Sequence, residues 1–322
     1  MTASIEAEEW LGFTQREYLS AFIREGGAAV KFAVPLEEGL RGALIDGIAG
    51  IAERAGYLVV KINAAETKVH MADEIFFRAA SQIPWRTLSQ MTIARLAAES
   101  GYAWAKDGEE PLYLRLAAEN GIDAQLLLLD LKKAIGGKVL KRRNLSRDFL
   151  VAMTHLCIAE LAGGQDGATT IGAVTDWLTG RNKAVSAVKP YQIFRKINRA
   201  TARYVFESAV QWLRFAGYPG MVAIIDMRRT ALARNPRDHS IFYSKAAVLD
   251  AYEVLRQFID GTDKLEGCLI AVIPDIAFLE DEVRGLSAYE ALKFRVFDEI
   301  RDRNLVNPMA SLARISASGR SH

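Results

Sequence analysis

The chain has 322 residues, half of them hydrophobic and a quarter charged, with a formal net charge of +2. That balance fits a globular protein with a sizeable core and excludes a polycation, so any nucleic-acid contact must come from a local patch. The length suffices for two domains, or for one large domain carrying an insertion.

The N-terminal stretch "MTASIEAEEWLGF" is acidic and lacks an apolar core of signal-peptide length. No run approaches the ~18 consecutive apolar residues of a membrane span, so a cytoplasmic location without membrane contact is expected. "TQREYLSAFIREGG" (14–27) has apolar positions at helical spacing and stops on Gly26-Gly27. "AAVKFAV" (28–34) reads as a short buried strand. The helix "LRGALIDGIAGIAERAG" (40–56) presents Leu40, Leu44, Ile48 and Ile51 on one face and ends at Gly56. "YLVVKINAA" (57–65) is a second buried strand, so these segments form a βαβ unit with parallel strands.

From Met71 to Gly217 the pattern is helical, as in "WRTLSQMTIARLAAES", "DAQLLLLDLKKAI" and "SRDFLVAMTHLCIAELAG". "GKVLKRRN" (137–144) and "GGQDGATT" (163–170) read as loops within it. Strand character returns at "GMVAIID" (220–226) and "CLIAVIPD" (268–275), with the helix "SKAAVLDAYEVLRQFID" between them, and "NPMASLARI" (307–315) reads as a last, weaker strand. The expected fold is α/β: a parallel sheet built from residues 1–70 and 218–322, with a large helical insertion, 71–217, between the second and third core strands.

Few residues suggest chemistry. Cys157 and Cys268 lie in apolar stretches and read as buried thiols, and the four histidines show no metal-ligand spacing, so no metal is expected. No Ser-His-Asp, Cys-His or paired-carboxylate arrangement can be defended from spacing. The turn after the first buried strand, "VKFAVPLEEGLRGALIDGIAG" (30–50), stands where a phosphate-cradling loop would sit. Such a loop, G-x-x-x-x-G-K-[ST], wraps phosphate oxygens with backbone N–H groups, reaches the terminal phosphates with its lysine and holds Mg²⁺ with its hydroxyl. Here those positions fall on Pro35 to Gly42. Pro35 lacks an N–H, Leu40 stands where close backbone approach is needed, and Glu37 and Glu38 flank Gly39 with negative charge. Arg41 replaces the lysine and Gly42 replaces the hydroxyl residue. Asp226 ends an apolar strand, where it can hold Mg²⁺ or simply close the strand, and Met227 cannot serve as the base that would follow it.

Two basic stretches complete the inventory. "LKKAIGGKVLKRRNLSR" (131–147) carries Lys138, Lys141, Arg142 and Arg143 among seven cations and no acid. It reads as a basic loop between helices, either contacting DNA phosphates or merely solvated, and its lack of aromatics argues against base stacking. "DMRRTALARNPRD" (226–238) places Arg228 and Arg229 just past the strand, as a subunit boundary or as a surface loop.

The segments "AFIREGGAAVKFAV", "GYLVVKINAAE", "WLTGRNKAVSAVKPYQIFRKINRATA", "WLRFAGYPGMVAIID" and "IPDIAFLEDEVRGLSAYEAL" resemble the ATP-binding proteins of BREX-type phage-defence systems, from about Glu9 to about Arg295. The resemblance implies a P-loop NTPase-like (AAA+/ASCE) fold, a role in antiviral defence, and partners that are other defence-system proteins or further copies of the chain. It also marks Gly39, Arg41, Gly42, Asp226 and Met227 as altered nucleotide-site positions. The expectation is a degenerate, non-hydrolytic homologue needing no cofactor, acting as a structural or DNA-associated subunit. The alternative is an ATPase that uses ATP and Mg²⁺ through an unorthodox loop.

Overall fold

The structure, a computed structural model, describes residues 4–142, 144–232, 234, 237–297 and 307–317. It divides into two compact units, one of residues 1–79 and 218–322, the other of residues 80–217.

The first unit is a layered α/β fold. A short strand β1 (Ile5–Glu6) leads into helix α1 (Ala7–Phe13), whose continuation to Phe22 is wound with i→i+5 bonds such as Ile23 N to Tyr18 O. The expected first helix therefore begins earlier than Thr14. Then come β2 (Ala28–Pro35), α2 (Leu40–Arg54), β3 (Leu58–Asn63) and α3 (Ala72–Ala80). After the second unit the chain returns with β4 (Met221–Met227), α10 (Lys245–Asp260), β5 (Cys268–Pro274), the short helices α11 (Ala277–Glu280) and α12 (Glu290–Val296), and β6 (Leu312–Ser316).

The six strands form one sheet in the order β1-β6-β2-β5-β4-β3, and every pairing is parallel. β4 and β5 are buried along their whole length, as strands covered on both faces must be. One face packs on α1 and α2 through Trp10, Leu19, Leu44 and Ile48 against Val222, Ile224, Leu269 and Ala271. On the other face Phe32 stacks on Phe278 at 5.6 Å, and Tyr252 of α10 meets Phe278 edge-on. The parallel α/β sheet is as expected and is compatible with a P-loop NTPase-like fold. At the start of β4 Gly220 has φ +155°, and a Cβ there would lie 1.9 Å from the Gly267 carbonyl oxygen, so only glycine fits.

The second unit is helical: α4 (Trp85–Glu99), α5 (Leu112–Asn120), α6 (Ala124–Val139), α7 (Arg147–Ala162), α8 (Gly164–Leu178) and α9 (Ala202–Ala216). α7 is apolar nearly all round and is the central helix, with Phe149 edge-on to both Trp85 and Trp212 at 6.3 Å. Two expected loops are helical in part, the first only over residues 137–139. α6 continues through Gly136 and Gly137 to Val139, because Leu131, Ile135 and Val139 form a fully buried stripe that outweighs about 1 kcal/mol of lost helix propensity per glycine. α8 starts at Gly164, so most of "GGQDGATT" is its first two turns.

Candidate functional site

Parallel sheets of this kind collect ligands beyond the C-terminal ends of their strands. The register places Asp226 of β4 beside Ile273 of β5, and Met227 beside Pro274. Because β5 lies between β2 and β4, the carboxylate that follows it, Asp275, comes next to that of Asp226. α2 starts directly after β2, so Arg41 in its first turn points across these tips.

The Arg41 guanidinium is buried and engaged through both terminal nitrogens. Nη1 donates to Asp226 Oδ1 at 2.8 Å and to the Ile273 carbonyl at 2.7 Å. Nη2 donates to the Pro274 carbonyl at 2.9 Å and to Asp275 Oδ1 at 2.5 Å. Residue 41 is 7 % exposed and Asp226 5 %. The second oxygen of Asp226 accepts from Arg228 Nε at 2.6 Å and pairs with its Nη2 at 2.5 Å, while Oδ1 also takes the Arg228 amide at 3.0 Å. This bonding to Asp226 raises the Arg228 pKa further above its ordinary value. Asp275 Oδ2 accepts the Arg229 amide at 2.5 Å, with Arg229 in a left-handed conformation at φ 63° and its guanidinium bonded to Asp238. Ser240 and Arg229 together hold the Asp238 carboxyl at about 2.

The altered positions thus come together, but as a closed network. Arg41, Asp226 and the Arg228 backbone meet at one point; Gly42 and Gly39 lie on the adjoining α2 N-terminus; the Met227 side chain is buried at 1 % exposure. Leu36 N bonds to Ile315 O at 2.8 Å, and Glu37 Oε2 accepts the Ala317 amide at 3.0 Å, so the turn holds the end of β6. A cleft of about 350 Å³ opens beside this network, bordered by Gly42, Asp46, Lys61, Glu66, Arg78 and Arg228. Its cations are paired: Lys61 with Asp46 at 3.0 Å and Arg78 with Glu66 at 3.5 Å. A triphosphate entering here would meet Asp46, Glu66 and Asp226. These residues do not fit Mg²⁺–ATP in the usual way, since a buried guanidinium takes the cation's place on Asp226 and the carboxylates bordering the cleft oppose phosphate.

Asp275 is the member of this network that sequence reasoning missed. Its signal was present, an aspartate directly after the buried run "CLIAVIP", the same pattern that singled out Asp226. The rest of that segment is structural. Asp281 Oδ1 accepts the amides of Val283 and Arg284 at 2.8 Å, and Tyr252 Oη donates to the Arg284 carbonyl at 2.7 Å.

The other expected positions lie elsewhere. Lys138 pairs with Glu99 at 3.0 Å and the Arg142 guanidinium sits 4.3 Å over the Phe215 ring, while Lys141 is exposed. Of that basic stretch, residues 131–139 belong to α6, while Lys141 and Arg142 lie in the connection after it, as expected of a loop; Arg143 falls outside the described residues. Arg228 faces Asp226 rather than open solvent alone, its side chain 43 % exposed. Among the described residues no group of three or more His, Cys, Asp or Glu side chains could hold a metal ion, and no helix is long and apolar enough to cross a membrane.

No curated protein and no solved structure gives a significant match. The family model for the BREX system ATP-binding protein BrxC/D matches residues 123–318, a narrower span than the segments quoted from Glu9 onward suggest, and one that includes β4, β5 and the Asp226–Asp275 pair. With more than half of its length matched, the chain belongs to the BREX system ATP-binding protein BrxC/D family.

Proposed function

We propose that this chain is a non-hydrolytic member of its family, contributing architecture rather than ATP turnover to a BREX phage-defence assembly, with other proteins of the system as its partners. The observation that carries this reading is the buried Arg41 guanidinium, bonded to Asp226, Asp275 and two carbonyls at the strand tips. A positive charge supplied by the chain itself does there what Mg²⁺ and a lysine would do only in the presence of nucleotide. Binding ATP in the same corner requires Arg41 to abandon all four contacts, at a cost on the order of 3–5 kcal/mol for breaking a buried pair. With no hydroxyl at Gly42 and no base at Met227, little is gained in return.

Calorimetric titration of the purified protein with Mg²⁺–ATP tests the reading. No measurable heat of binding is expected. Micromolar affinity that disappears in Arg41→Ala would overturn it and favour the alternative, an ATP-binding protein with an unorthodox loop.

A further inference from the structure

The helical unit carries a second site of different chemistry. Between α8 and α9, residues 181–201 (RNKAVSAVKPYQIFRKINRAT) hold six arginines and lysines and no carboxylate of their own, with Arg181 paired to Asp176 of α8 at 2.9 Å. Part of this segment is irregular yet tightly held. Asp148 Oδ1 accepts the amides of Phe194 and Arg195 at 2.9 and 3.3 Å. Trp177 Nε1 donates to the Arg195 carbonyl at 3.2 Å, and Thr201 Oγ1 to the Lys196 carbonyl at 3.0 Å. Ile193 and Ile197 are buried and anchor it from within.

Between those anchors the side chains face solvent. Phe194 is 61 % exposed and Lys196 is exposed as well, and the Arg195 side chain, though 4.0 Å from Asp148 Oδ2, is 80 % exposed. They border a hollow of about 630 Å³ in this unit, floored in part by Trp177 and Val205 and rimmed by Arg147 and the half-exposed Tyr204. A backbone pinned by a carboxylate and an indole, presenting two aromatic rings among cations, is not explained by packing, since packing would turn Phe194 inward. An acidic peptide would use the cations and leave the rings idle. A duplex keeps its bases stacked on each other, out of reach of an exposed ring. A single strand uses both: unstacked bases lie on the rings and phosphates on the flanking cations.

We propose that the hollow formed by Phe194, Tyr204, Arg147, Arg195 and Lys196 binds single-stranded nucleic acid. The site is independent of the strand-tip network. Fluorescence anisotropy of the full chain with labelled oligothymidylate and oligouridylate of about 12 nucleotides tests it, the two arms separating DNA from RNA. Binding is expected, with a log–log salt slope of about −2 from three phosphate contacts. Phe194→Ala should weaken binding about 5- to 150-fold and leave the slope in place. Phe194→Tyr should restore it and Phe194→Leu should not. The double variant Arg195→Gln/Lys196→Gln should make the slope shallower by about 1.4. All of these positions are exposed, so the thermal midpoint should hold. A preference for either strand type supports the proposal and names the source. It is overturned if neither strand binds, if a duplex binds as well and Phe194→Ala changes nothing, or if Lys138→Gln/Lys141→Gln abolishes binding while Phe194→Ala does not.

Discussion

Replacing Arg41 by methionine keeps the aliphatic stem and removes the guanidinium, which tests the strand-tip network directly. Asp226 keeps Arg228 as a partner at 2.5 Å, and Asp275 keeps the Arg229 amide and has a side chain one-third exposed to water. The Ile273 and Pro274 carbonyls lose their donors. Breaking a buried pair costs about 3–5 kcal/mol, and the remaining partners and the hydration of Asp275 place this case near about 3. For a unit of this size that corresponds to a fall of about 6–12 °C in the midpoint of its thermal transition. Scanning calorimetry of wild type, Arg41→Met, Asp226→Asn and the double variant would measure it. Asp226→Asn should be less damaging in the Arg41→Met background, with a coupling of about 1 kcal/mol or more. A loss below about 2 °C for Arg41→Met, together with additivity in the double variant, would refute the reasoning that this guanidinium holds the tips together.

Restoring only the missing acid, Met227→Glu, should create no ATP hydrolysis above wild type in a phosphate-release assay, and should lower stability because residue 227 is buried. Lys31 of β2 donates to the carbonyls of Met309 and Ala310 at 2.6 and 2.8 Å, and burial lowers its pKa to about 7. The unfolded chain keeps that proton up to about pH 10.4, so the burden of Lys31 is complete below about pH 7 and fades as pH rises above it. The stability difference between wild type and Lys31→Met, measured by urea unfolding, should therefore shift in favour of wild type from about pH 6 to about pH 9, and a flat difference would assign Lys31 an ordinary pKa. Assembly through the segment after β4 should be probed at Arg234 and Arg237, which are exposed, because reversing Arg228 would place a carboxylate against Asp226. Charge reversal at these two arginines should reduce self-association or partner capture in light scattering while moving stability by only about half a kcal/mol, and identical assembly in variant and wild type would remove this face from the interface.

Apolar runs determined much of this protein on their own. The β2–α2–β3 unit, β4 and β5 are visible because strands covered on both faces must be continuously apolar, and the weaker β6 was visible in "NPMASLARI". The same local information marks Pro35, Arg41, Gly42 and Met227 as departures from a phosphate-loop pattern, since each judgement concerns what one side chain can donate or accept. Glycines misled the reading of α6 and α8, where burial of Leu131, Ile135, Val174 and Trp177 outweighs a local propensity. Only the tertiary structure decided what Arg41 does. Its partners lie 185 and 234 residues away, and they reach it because β5 is inserted between β2 and β4 with Asp226 in register with Ile273. Strand order and register arise from side chains packing across the whole sheet, which no local periodicity contains. The exposure of Phe194 is likewise tertiary information, since its backbone amide is held by Asp148, 46 residues away on α7.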